Sequence, residues 1–410
     1  MKQLFVIIFL VFSLVIPHRM QAYGVLAHEA VVDVLWDGTI LPVLKKKYPG
    51  ATKEELRKAR AFAYGGAIVP DMGYYPMCRP LFSKILHYVR TGDFVHNLFD
   101  EAASLNEYAF AIGVFTHYES DKYGHAACTN KAVPMMFPKL EKKYGDDVSF
   151  CQGKIAHSRM EFGFDVIQTA RGNYASEAYH DFIGFEVSDS LLERAFLKTY
   201  GRDLHGLFRS LSLSISVFRF SVKTLIPELT RDAWKVRNSV IVKLNPLADK
   251  KKYIYKYERK NYREEFTHPG IQSLVVTLLI GIIPKVSSLS KFKPKIPERE
   301  AEALFEDSFD EVARHAAVDL PKIKTGRTLA NINLDTGKES RPGEYALSDE
   351  AHYKVLMELD SSDTDDQLKQ SLVDFYMTDE GSAAYDTGSR KGEKITKALR
   401  DLKGMEVTGR

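Results

Sequence analysis

The stretch Phe115-Thr-His117-Tyr-Glu-Ser-Asp121-Lys-Tyr-Gly-His125 constrains the fold more than any other part of the chain. His117, Asp121 and His125 are spaced by four. On a helix each step of four residues turns by about 400°, so the three side chains project from nearly one face. The preceding segment, Ala109 to Phe115, is mostly apolar, which predicts that this helix is buried. A buried aspartate is costly unless it is paired or bound to a cation. Imidazole nitrogen and carboxylate oxygen are donors that zinc takes. A single His-x3-Asp is commonly structural, whereas His-x3-Asp-x3-His on an apolar helix points to a metal.

Other candidate donors lie close by. Of the 12 histidines, His28, His87, His96, His117, His125 and His157 fall between positions 28 and 157, and those that follow are scattered. His157 and Glu161 are four apart among the core-like Ile155, Phe162, Phe164 and Ile167. Alone they would be an ordinary surface pair; beside the first cluster they read as a second metal half-site. Asp71 sits in Gly65-Gly-Ala-Ile-Val-Pro-Asp71-Met-Gly73, where Pro and Gly punctuate a turn that holds the carboxylate at a loop tip. His87 follows, and His28 stands five residues after Tyr23. His96 receives no role beyond support or surface.

Composition bounds the class. The chain has 410 residues, 45% hydrophobic and 27% charged, enough for a substantial core, and its length alone suggests two or three domains. The 21 Tyr, 24 Phe and 2 Trp exclude disorder over most of the length. Three cysteines exclude a disulfide framework; Cys128 and Cys151 form either a disulfide, leaving Cys78 over, or three buried thiols with it. A net charge of +3 is too mild for a dedicated nucleic-acid partner.

Residues 1–22 read as a secretory signal: Lys2, an apolar Leu4–Ile16, then Pro17 to Ala22, with cleavage expected after Ala22. The apolar part falls short of the roughly 20 residues of a membrane span. The mature protein is therefore expected to begin at Tyr23 and to be secreted or periplasmic. From there to about Gly172 the pattern is helical, with Thr52 and Glu55 as a capped start. Ser210 to Val222 alternates like a strand, yet Leu211, Ile215, Phe218 and Val222 also form one helical stripe, and helix is the expectation. Leu274 to Ile283 reads as a buried helix closed by Pro284. Lys250 to Phe266 interleaves basic residues with tyrosines, as a solvated connection or an anionic-surface contact. Residues 325–410 read as an accessory tail with two or three short helices.

The donor set, in this chain order, resembles the zinc-dependent phospholipases C of bacteria and their relatives, the single-strand-specific zinc nucleases of fungi and plants. The motifs cover Tyr23 to Glu161. The resemblance implies an all-α, multi-helix bundle over residues 23–324, with three zinc ions at the bottom of a cleft. Position by position it implies that Asp71, His87, His117 and Asp121 hold one zinc. His125, His157 and Glu161 would hold a second, leaving a position for water and substrate. Asp121 as a bridge, His28, and the free amine and carbonyl of Tyr23 would hold the third, and that amine exists only after cleavage. The chemistry so implied is phosphodiester hydrolysis. Asp71 would be catalytic in orienting the attacking water, and the His125, His157 and Glu161 site would steady the departing oxygen. The expected substrate is a phospholipid or another phosphodiester, met with peripheral contact to a membrane surface.

The sequence also departs from the family pattern. Tyr23 replaces the usual tryptophan, His125 follows Asp121 more closely than is usual, and choline-binding residues have no counterpart, Met72 following Asp71. Two alternatives stand beside the lipase reading. A nuclease would stack bases on exposed aromatics such as Tyr74, Tyr75 or Tyr118. A non-catalytic zinc-binding envelope protein would need a closed site, normally Cys-rich.

Overall fold

The computed structural model describes residues 24–171, 185–222, 294–325, 328–359, 365–377 and 382–407. The leader, Tyr23, Lys250–Phe266 and Leu274–Ile283 lie outside the described residues. Among the described residues the structure is all-α: β-pairing is confined to two isolated antiparallel bridges, Asn333 with Lys338 and Met377 with Ala383. No helix among them is long and apolar enough to cross a membrane.

In chain order the helices of more than one turn are α1 (Val25–Leu35), α2 (Leu41–Lys47), α3 (Lys53–Ile68), α4 (Pro80–Tyr88), α5 (Thr91–Glu101), α6 (Leu105–Gly124), α7 (Asn130–Met136), α8 (Pro138–Tyr144), α9 (Phe150–Arg171), α10 (Asp189–Tyr200), α11 (211–222), α12 (Arg299–Asp319), α13 (Ala346–Met357), α14 (Asp366–Tyr376) and α15 (Arg390–Val407). Thr52 and Glu55 form a reciprocal capping box at the start of α3, satisfying two backbone donors that a helix N-terminus leaves open. Ser104 accepts the Glu107 N–H and starts α6 in the same way. In α11 the helical stripe prevails over the alternation, since Leu211, Ile215, Phe218 and Val222 are all buried.

Helix α6 is the axis of the core. Every residue from Tyr108 to Asp121 is buried, and α1, α3, α5 and α12 pack around it. That burial on all sides is why its apolar run shows no one-sided stripe. Its tightest neighbour is α3, and glycine permits the approach. A Cβ on Gly113 would lie 2.0 Å from the Ala63 carbonyl oxygen and 2.8 Å from the Ala67 nitrogen; one on Gly66 would lie 2.1 Å from the Phe110 carbonyl oxygen.

The region after residue 324 carries three helices, α13 to α15, as its apolar stretches suggest. Its first part packs into the core. Ile332, Asn333, Leu334 and Asp335 are buried, and the Leu334 N–H donates to the carbonyl of His87 (3.0 Å). The segment is polar in sequence because its backbone and side chains are satisfied by hydrogen bonds to α5 and α6 rather than by water.

Gly113→Ala tests the close approach. It should cost about 1–3 kcal/mol, as overpacking does, and weaken zinc binding as well, because α3 also holds one site histidine through Ala67. Denaturant unfolding together with zinc titration measures both; an unchanged unfolding midpoint would contradict the tight contact.

Candidate metal centre

Each candidate donor is carried by a different part of this helical frame, and local hydrogen bonds aim it. The turn Val69–Tyr74 presents Asp71, and Ser83 fastens that turn to α4. The Ser83 hydroxyl donates to the Pro70 carbonyl and accepts the Gly73 N–H. The Ser83 carbonyl oxygen lies 2.7 Å from His87 Nδ1, so one serine orients both the loop carboxylate and the histidine. On α6, His117 Nδ1 lies 2.8 Å from the Ala67 carbonyl oxygen of α3. Carbonyl oxygens only accept, so Nδ1 of His87 and of His117 carries the proton, and each Nε2 presents its lone pair inward in the neutral ring. Helix α1 brings His28 into the cluster. Its first turn is pinned by the Asp165 carboxylate of α9, which accepts the N–H groups of Leu26 (3.2 Å) and Ala27 (3.1 Å). Burial pushes Asp165 up to about 8.

The donor atoms converge. His117 Nε2 is 3.2 Å from His87 Nε2 and 3.3 Å from Asp121 Oδ2. His87 Nε2 is 3.1 Å from Asp121 Oδ2 and 3.4 Å from Asp71 Oδ1. His28 Nε2 is 3.5 Å from Asp121 Oδ1 and 3.9 Å from Asp71 Oδ2. Two donors at normal zinc distances around a tetrahedral ion stand about 3.3–3.6 Å apart. The separations of 3.1–3.5 Å lie close to that range, and the 3.9 Å between His28 and Asp71 is wider. Three groups of donors within 4.8 Å of one another result: Asp71 with His87 and His117; His28 with His117 and Asp121; and His125 with His157 and Glu161.

The third group begins beside a local irregularity. After α6 the helix widens into a π turn, His125–Thr129. Four-residue steps on an α-helix drift by about 40° each, so His125 is turned away from the line of His117 and Asp121. Its Nε2 is 4.0 Å from Asp121 Oδ2. On α9, His157 Nε2 lies 2.6 Å from the Val148 carbonyl oxygen, which leaves Nδ1 facing Glu161 Oε1 at 3.8 Å. Both nitrogens of His125, His157 Nδ1, Glu161 Oε1 and both oxygens of Asp121 are buried without a hydrogen bond among the described residues. A buried donor set of imidazole and carboxylate with unmet hydrogen-bonding capacity fits zinc.

The electrostatics agree. Burial, then the carboxylates of Asp71, Asp121 and Asp335, pushes Glu161 well above the usual range. Burial and the neighbouring His117 drive His28 well below its ordinary value, and burial with His125 takes His157 down to about 3. Burial would raise Asp121 too, but His117, His87 and His125 outweigh it and hold its carboxyl well below the usual range. Burial raises Asp71. Burial would lower His87, but the carboxylates of Asp121 and Asp71 outweigh it and hold that imidazole well above its ordinary value.

Eight of the nine donors singled out in the sequence are therefore brought together, and Tyr23 lies outside the described residues. One carboxylate escaped sequence reasoning. Asp335 is fully buried, with Oδ1 3.4 Å from His125 Nε2, and its Oδ2 accepts hydroxyls from Tyr88 and Tyr345. No metal-like spacing announces it, more than 170 residues beyond Glu161. His96 is not a surface residue: it is buried, and its Nε2 accepts the N–H groups of Thr328 and Leu329. Tyr74, Tyr75 and Tyr118 are buried as well, so they form no exposed stacking platform. All three cysteines are free thiols.

The model of the family described as zinc dependent phospholipase C matches residues 23–209. No curated protein and no solved structure matches the chain.

Asp121 faces all four imidazoles of the first two groups and of His125, so Asp121→Asn should remove more than one zinc equivalent. Free zinc at a hundredfold its dissociation constant should stabilise the protein by about 2.7 kcal/mol per site. Metal analysis after dialysis and thermal unfolding with and without a chelator measure these effects; loss of no equivalent would contradict the central place of Asp121.

Proposed function

We propose, from the premise that residues 23–209 belong to the zinc-dependent phospholipase C family, that this protein hydrolyses phospholipids at the phosphodiester, releasing diacylglycerol and a phosphorylated head group. The observation that carries the reading is the cluster of donors: two groups of His and carboxylate side chains that share His117, with the third group beside them, its His125 4.0 Å from Asp121. Leader residues 1–22 support a secreted or periplasmic location, where processing frees the Tyr23 amine.

A phosphodiester is anionic and gains charge at its equatorial and leaving oxygens as it is attacked. Bound zinc supplies Lewis acidity toward those oxygens and lowers the pKa of a water toward about 7. The protein's own residues divide the remaining tasks. Asp121, His87 and His117 are almost wholly enclosed and fix the frame. The Asp71 side chain is 11% exposed, against 0–1% for those three, so it is the donor that water and substrate reach. Its carboxylate orients the attacking water and receives its proton. His28 Nε2, carried by α1, lies 3.9 Å from the other oxygen of Asp71. Asp71 is fixed from behind by the Ser83 clamp, so no reorganisation is needed when substrate arrives.

Side-by-side incubation with phospholipid vesicles and single-stranded DNA, with and without a chelator, tests the proposal. Diacylglycerol release that the chelator abolishes and zinc restores is expected. Cleavage of DNA alone would transfer the site to nuclease chemistry, and cleavage of neither by the zinc-loaded protein would remove the enzymatic reading. Asp71→Asn should lower kcat by on the order of 10²–10⁴-fold, the range for loss of a positioned acid or base. A variant as fast as the parent would exclude Asp71 from the proton transfer.

A further inference from the structure

Asp335 reaches the metal centre from outside the family match, on a segment built to hold it there. The strap 328–338 is fastened along its length to α5 and α6. The His96 ring accepts the N–H groups of Thr328 (3.0 Å) and Leu329 (3.1 Å), and the Tyr118 hydroxyl donates to the Ala330 carbonyl (2.8 Å). Asn331 and Asp93 exchange two hydrogen bonds, and Thr91 Oγ1 both donates to the Ile332 carbonyl and accepts its N–H. Beyond Asp335 the chain turns at Gly337, whose φ of 68° suits glycine, and closes back through the bridge from Asn333 to Lys338.

The two tyrosine hydroxyls fix Oδ2, which turns Oδ1 toward His125. The 3.4 Å from Oδ1 to His125 Nε2 is not a hydrogen bond, since that nitrogen has no partner among the described residues. It equals the separation of His87 from Asp71, and falls in the roughly 3.3–3.6 Å expected of two donors on one tetrahedral ion. His125, His157 and Glu161 supply three donors, which leaves their cation a coordination position open to a further one.

We infer that Asp335 is a further protein donor to the cation held by His125, His157 and Glu161, so that the strap 328–338 is part of the metal centre. This rests on the reading of that cluster as a zinc site. The strap then closes with the metal: a cation bound to both α9 and Asp335 ties a C-terminal segment to the core.

Asp335→Asn keeps an oxygen for both tyrosine hydroxyls but removes the charge. Zinc content in a chelator-buffered series should show one equivalent weakened by more than about 100-fold, beyond the cost of losing a residue that only orients a ligand. The visible spectrum of the cobalt-loaded protein should change with it. Tyr345→Phe, which retains the carboxylate, should keep every equivalent. In the parent protein, added zinc should protect 328–338 from limited proteolysis, and this answers the question even if Asp335→Asn does not fold. Unchanged zinc affinity, a smaller loss with an unaltered cobalt spectrum, or protection indifferent to zinc would overturn the inference. A parent protein that binds no zinc would instead overturn the underlying site.

Discussion

The structure depends on how buried negative charge is compensated. Asp71, Asp121, Glu161 and Asp335 all sit within the core around α6. Among the described residues no lysine or arginine pairs with Asp71, Asp121 or Glu161; their ionic neighbours are imidazoles. Each carboxylate taken out of water costs several kcal/mol even after relaxation. Imidazole offsets that only when protonated: Asp121 and Asp71 hold His87 toward that form, whereas His28 and His157 are driven toward the neutral one. Divalent cations resolve the conflict because they leave the imidazoles neutral and the carboxylates ionised together. The same arrangement that would be a liability in a metal-free core is the reason a metal binds there.

Preorganisation follows from backbone carbonyls rather than from the donors themselves. The carbonyls of Ser83 and Ala67 place the proton on Nδ1 of His87 and His117, and the Val148 carbonyl places it on Nε2 of His157. Opposite tautomers are thereby set in the two halves of the site before any ion arrives. The Ala67 carbonyl is within reach only because Gly113 and Gly66 let α3 and α6 touch. Packing of two helices thus decides which nitrogen of His117 faces the metal, a detail that commonly tunes ligand basicity and affinity.

This division explains what the sequence disclosed. Spacing of four along one apolar helix exposed His117, Asp121 and His125, because helical periodicity converts sequence directly into a shared face. The Pro-Asp-Met-Gly turn exposed Asp71 for an equally local reason. The π turn at His125 left no such trace, since the residue falls on the same four-step spacing whether the helix widens or not. Ser83, Ala67 and Val148 were invisible because a carbonyl acts without regard to its side chain. Asp335 was invisible because its partners, Tyr88, Tyr345 and His125, come from three remote places. Its neighbourhood of Asn, Asp, Gly and Lys looks like a solvated tail, and in composition it is one.

That a distant, polar segment finds a place in the core is less costly than it looks. The hydrogen bonds between Thr91 and Ile332 join residues 241 apart. Loop closure grows only logarithmically, by about 0.6 kcal/mol for each doubling of length, so the long return adds little beyond a short one. What it requires is satisfaction of every strap donor and acceptor that water leaves behind. The strap meets that need with a histidine ring, two hydroxyls and a pair of reciprocal amide contacts, each fixed by α5 or α6. Helices that display those groups along one edge can therefore accept a polar strand of backbone beside a metal centre, and a buried carboxylate arrives there without the helix that usually carries one.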